Sequence, residues 1–106
     1  MMSVKSLLCL GAGPSQIPVI KAAKKHGYSL IAIDRSASAP GFPHADVGII
    51  VSTHDSQACL ESVMEIQNSH EIVGILNRSS GPPVITTAIL NDALDIPGVP
   101  VSSSKI

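Results

Sequence analysis

Aromatic side chains are almost missing from this chain: its 106 residues include one Phe, one Tyr and no Trp. A surface that stacks nucleic-acid bases needs such rings, and one that follows a phosphate backbone needs clustered cations. Lys and Arg number seven against eight Asp and Glu, for a formal net charge of −1. The one basic group of note is Lys21, Lys24 and Lys25, so no nucleic-acid partner is expected. Long apolar runs are lacking too. Leu7–Leu10 and Leu30–Ile33 fall far short of the ~20 residues that span a bilayer. The first run breaks at Gly11 and Gly13, which marks a strand and not a signal peptide. No membrane partner is expected, and a cytoplasmic location follows. Cysteine is scarce: Cys9 and Cys59, on a predicted strand and a predicted helix, read as buried free thiols of an intracellular protein.

What the chain does have is aliphatic. Hydrophobic residues make up 44% and charged residues 14%, which argues for a packed core and against disorder. The length fits a single domain, residues 1–106. With few rings, that core must be built from Val, Ile, Leu and Ala, the composition of a parallel sheet covered on both faces.

Strand and helix signals alternate along the chain. Ser6–Leu10 is a short apolar run that ends in glycines. Pro14 suits the first turn of a helix, Ile17, Ile20, Ala23 and Lys24 follow with helical spacing, and Gly27 closes it. Ser29–Asp34 is a second strand, followed by an irregular Ser/Ala/Pro loop, Ser36–Asp46. Val47–Ser52 is the third strand. Asp55 or Thr53 can cap the next helix, which presents Leu60, Val63, Met64 and Ile66 or Gln67 along one side. Glu71–Leu76 is the fourth strand. Pro82 and Pro83 open a third helix carrying Ile85, Ala88, Ile89 and Leu94, and a Pro/Gly-containing tail from Asp95 to Ile106 reads as a turn and a short extended piece. Strands joined by helices form right-handed crossovers. The expected fold is therefore α/β: a Rossmann-like three-layer α/β/α domain with a four- to five-stranded, mainly parallel sheet.

Two loops concentrate the chemistry. The first is Gly11, Ala12, Gly13, Pro14, Ser15 and Gln16. Its glycines permit a tight turn and a close ligand approach. Gly13 suits the N-cap, and the amides of Ser15 and Gln16 are expected to point outward toward a phosphate or carboxylate. The same glycines can serve the turn alone. The dinucleotide fingerprint needs a third glycine where Gln16 stands. Asp34 falls where a ribose-binding acid belongs, but it can equally cap the loop or pair with Arg35. The second loop is Asn77, Arg78, Ser79, Ser80 and Gly81, expected to face the first across the crevice at the carboxyl edge. Arg78 can clasp an anion bidentately and the serines supply hydroxyls. Alternatively, Ser80 or Gly81 caps the helix and Arg78 is solvated. His26, His44, His54 and His70 lack metal-ligand spacing, so no metal is expected. There is no Gly-x-Ser-x-Gly elbow, no Walker A lysine and no catalytic acid–base pair.

The run from Leu7 to Gln16, the Gly27-Tyr28 turn, Ile33-Asp34-Arg35, Ala39-Pro40-Gly41-Phe42, Ala45-Asp46 and the Asn77–Pro83 loop resemble the N-terminal (pre-ATP-grasp) domain of the ATP-grasp carboxylate–amine ligases. That superfamily includes biotin carboxylase, carbamoyl phosphate synthetase and purine-pathway ligases. The resemblance runs from about Val4 to Lys105. It implies a Rossmann-like domain that contributes to the substrate pocket of an enzyme forming an acyl phosphate with ATP and Mg²⁺. Later subdomains supply the nucleotide and metal ligands, so the chain is expected to be a piece of a longer one and inactive in isolation. Its implied partners are a small-molecule carboxylate or phosphate and the ATP-grasp core, with a homo-oligomer possible. The Gly11–Gln16 and Asn77–Gly81 loops carry over as substrate-contacting loops. Two other readings stay open: a free-standing nucleotide or dinucleotide sensor, favoured by Asp34, and a scaffold subunit whose apolar face drives self-association.

Overall fold

The computed structural model describes residues 4–77 and 82–94. Among these, four strands form one wholly parallel sheet: β1 (Val4–Leu10), β2 (Ser29–Asp34), β3 (Val47–Ile50) and β4 (His70–Leu76), in the order β3-β2-β1-β4. Three α-helices cover it: α1 (Ile17–Lys25), α2 (Ser56–Ile66) and α3 (Pro82–Ala93). The fold class matches the expectation, with four strands where four to five were anticipated. The expected tail from Asp95 onward lies outside the described residues. No helix among the described residues is long and apolar enough to cross a membrane.

The central strands show why the aliphatic runs work. Successive residues of a strand point to opposite faces, so a run without polar gaps can feed two cores. Leu8 and Leu10 of β1 and Ile31 and Ile33 of β2 meet Cys59 and Val63 of α2 and Leu90 of α3 on one face. Cys9, Leu30 and Ala32 meet Ile20 and Ala23 of α1 on the other. The two thiols are thus buried, free and on opposite sides of the sheet.

At β4 the register slips: Ser6 pairs with Ile72, but Leu7 pairs with Gly74. Val73 is the extra residue of a bulge. It reverses the alternation, so Ile72 and Ile75, three apart, both reach the α2–α3 core. Between β2 and β3 the crossover has no α-helix. Residues 35–46 carry one 3-10 turn, Phe42–His44, where an irregular loop was expected. Ala39, Phe42 and Ala45 pack beside α1, so this loop completes the layer on that face.

Several helix faces differ from their expected positions. In α1, Ile20 and Ala23 are buried, but Lys24 points to solvent and lies 3.6 Å from Asp46. In α2, Met64 is 41% exposed and Gln67 lies outside the helix, while Cys59 takes the buried place. In α3, Thr86 and Leu90 are fully buried beside Ala88 and Asn91, whereas Ile85 and Ile89 are only half-buried. The apolar stripe of a helix sets the centre of its buried face, but the neighbouring helix sets the width. The α2–α3 contact draws in small and polar residues that a hydrophobicity pattern passes over.

Candidate functional site

The carboxyl ends of β1, β2 and β3 open into a cleft of about 330 Å³. Gly11, Gly13, Gln16, Asp34, Arg35, Ser52, Thr53 and His54 line it. Ligands of open α/β sheets collect outside the carboxyl ends of the strands, and this cleft occupies that position. A wider groove of about 460 Å³ runs between β3 and α2. Glu65 is its one charged lining residue and it lies along the side of the sheet, so the smaller cleft is the candidate site.

The first wall is the glycine loop. Gly11 leaves β1 with φ +110°, a conformation that L side chains rarely adopt, while its N–H donates to the Ile33 carbonyl at 2.7 Å. Gly13 caps a 3-10 turn that starts at Pro14, not α1 as expected; the N-cap of α1 is Gln16. The turn, Pro14–Gln16, intervenes before α1 begins at Ile17. That turn corrects the expectation of an outward-pointing Gln16 amide: the Gln16 N–H donates to the Gly13 carbonyl at 3.1 Å. The Gln16 side chain is buried and folds back over the loop. A Cβ placed on Gly11 would lie 3.2 Å from its Nε2, and one on Gly13 would lie 3.1 Å from its Oε1. The Ser15 hydroxyl donates to that same Oε1 at 3.1 Å.

Asp34 closes the second wall. Its Oδ2 accepts from the Ala12 N–H at 2.9 Å and its Oδ1 from the Ser36 N–H at 3.0 Å. Of the roles open to it, loop capping is the one seen. No ion pair joins it to Arg35 among the described residues, and Arg35 is exposed along the cleft. Ala12 is held from its other side as well, because the Gly41 N–H donates to its carbonyl at 2.6 Å. A side chain at Gly41 would meet that carbonyl oxygen at 2.7 Å, so this approach requires glycine.

The third wall, Ser52, Thr53 and His54, was not foreseen as part of a site. The Thr86 hydroxyl of α3 donates to the Thr53 carbonyl at 2.8 Å, and the Cys59 thiol of α2 donates to the Ser52 carbonyl at 3.3 Å. Asp55 caps α2 by accepting from the Ala58 N–H at 3.0 Å. The signal for this wall was positional: it is the segment directly after the third strand, at the sheet edge where ligands gather.

Asn77 leaves the sheet just beyond Leu76, which pairs with Cys9, so it sits on the same carboxyl edge. It is not among the residues lining the cleft. Arg78, Ser79, Ser80 and Gly81 lie outside the described residues.

No protein-family profile and no curated protein matches the chain. Solved structures do. Phosphoribosylglycinamide synthetase from Anaerococcus prevotii aligns with 92% of the chain at TM-score 0.78 and 23% identity. L-amino acid ligase from Bacillus licheniformis aligns with 98% at TM-score 0.72 and 18% identity. The Bordetella bronchiseptica enzyme WbmG, solved in complex with NAD, aligns with 90% at TM-score 0.63 and 14% identity. The chain spans 24% of the first structure's length and 27% of the second's. At these identities the likeness is one of fold: the parallel sheet and its helical layers form a Rossmann-like domain shared with part of each of these enzymes.

Proposed function

We propose that this chain works as the substrate-pocket domain of a cytoplasmic ATP-grasp carboxylate–amine ligase. The observation that carries this reading is the cleft at the carboxyl edge, with the glycine loop on one side and Arg35 and His54 along its rim. A guanidinium beside hydroxyl and imidazole groups suits a small carboxylate or phosphate. The fold shared with two ligases over most of this chain supports the same reading.

The residues here do not fit Mg²⁺-ATP. Among the described residues, no group of three His, Cys, Asp or Glu able to hold a metal exists and no lysine lines the cleft. In this proposal ATP and Mg²⁺ belong to the ATP-grasp core of the same polypeptide, and this domain binds and orients the substrate.

An antibody raised against the domain, applied to extracts of the source cells, tests the assignment. It should detect a polypeptide several-fold heavier than 10.9 kDa. A band near 10.9 kDa would overturn the proposal, as would carboxylate-dependent ATP hydrolysis by the chain alone. In the full enzyme, Arg35→Ala should raise KM for the anionic substrate by about tenfold with kcat retained, the size of one lost charge-assisted hydrogen bond.

A further inference from the structure

The glycine loop of this chain supports two opposite expectations. Its two glycines and Asp34 at the end of β2 are what a dinucleotide site uses, and a protein of the same fold is solved with NAD. A diphosphate needs bare backbone over the glycines and free amides at the start of the helix. Here the glycines are covered and the Gln16 and Ile17 amides are taken. The Gln16 amide lies across Gly11 and Gly13 at distances of 3.2 and 3.1 Å from where their Cβ atoms would be. The side chain is 7% exposed, and the Ser15 hydroxyl fixes its Oε1. The Gln16 N–H is spent on the Gly13 carbonyl within the 3-10 turn. Across the cleft, each Asp34 carboxylate oxygen already accepts a backbone amide.

We infer that Gln16 is the specificity-determining residue of the cleft. Its amide covers the surface that a diphosphate would occupy, so dinucleotides are excluded. The space that remains, bordered by Arg35, Ser52, Thr53 and His54, takes a ligand with one compact anionic group. The inference rests on the cleft being the ligand site, as proposed above. It adds the residue that separates this cleft from those of dinucleotide-binding relatives of the fold.

Titration of the chain with NADH, followed by nicotinamide fluorescence, tests it. The wild-type chain should show no saturation up to millimolar NADH. Gln16→Gly, which completes the three-glycine pattern, and Gln16→Ala should each bind NADH at least about tenfold more tightly than wild type, a full decade in Kd. Micromolar binding of NADH by the wild type would overturn the inference. So would a variant that keeps the wild-type circular dichroism and melting profile yet binds NADH no better. Should neither variant fold, Gln16→Ser, which also uncovers the glycines but keeps a polar side chain, is held to the same tenfold criterion. Failure of the ligase reading appears separately, in the mass of the native polypeptide, which this titration does not touch.

Discussion

At the scale of single residues, Asp34 has the most consequential contacts. A carboxylate that accepts two backbone amides holds two loops at once, and charge-assisted hydrogen bonds contribute more than neutral ones. Asp34→Ala should cost about 1–2 kcal/mol, read as a lower denaturant midpoint with an unchanged slope. Asp34→Asn, which keeps one carbonyl acceptor, should cost less. An Ala12 amide that exchanges with solvent no faster in Asp34→Ala would show that the bond contributes nothing. The sequence placed Asp34 at the strand end but left its role open among ligand binding, capping and pairing with Arg35. Its first partner lies 22 positions away in sequence, and nothing in local spacing reveals a contact of that range. The burial of Gln16 was hidden for a similar reason: a polar residue after a Pro-Ser pair reads as surface until the chain folds back over it.

At the scale of elements, strands and helices were legible because each carries its own periodicity, and β2 was expected over the residues it occupies. Helix faces were less so. Met64 belongs to the apolar stripe of α2 by spacing but is 41% exposed, and Thr86, which the apolar spacing of α3 passes over, is fully buried. Thr86 shows what α3 does for the site. Its hydroxyl reaches the Thr53 carbonyl, so a helix on the sheet face steadies a wall of the cleft. Thr86→Val preserves the shape and removes the donor. It should destabilise the chain by about 1 kcal/mol, and amide exchange should accelerate chiefly over residues 52–55. Uniform acceleration across the sheet, or none in that segment, would mean that α3 does not brace the wall.

For the molecule as a whole, the alternation of elements made the parallel α/β architecture legible, but the strand order β3-β2-β1-β4 was not, because crossovers of one hand allow more than one order. The third wall of the cleft was harder to see, because it depends on three separate loops ending at one edge. The two thiols give stability a pH dependence. Burial pushes Cys9 from 9.0 to about 11, and burial followed by the nearby Asp55 charge does the same for Cys59. In the folded state both therefore keep their protons to higher pH than in the unfolded chain. Above pH 9 the unfolded chain binds fewer protons, so stability is fully present below that pH and declines as pH rises toward 11. Urea midpoints across this range should fall for wild type, and the fall should be smaller in Cys9→Ala. Equal slopes in the two would remove Cys9 as a contributor. The thiols sit on opposite faces of the sheet, so oxidising conditions should leave the melting temperature unchanged. The double restraint on Ala12, by Asp34 at its N–H and Gly41 at its carbonyl, has an effect on recognition. A loop fixed before any ligand arrives has little conformational entropy left to lose, so binding there is spared the ordering cost that flexible loops impose. That wall of the cleft is accordingly preorganised, and the side-chain ordering that remains falls on exposed groups such as Arg35.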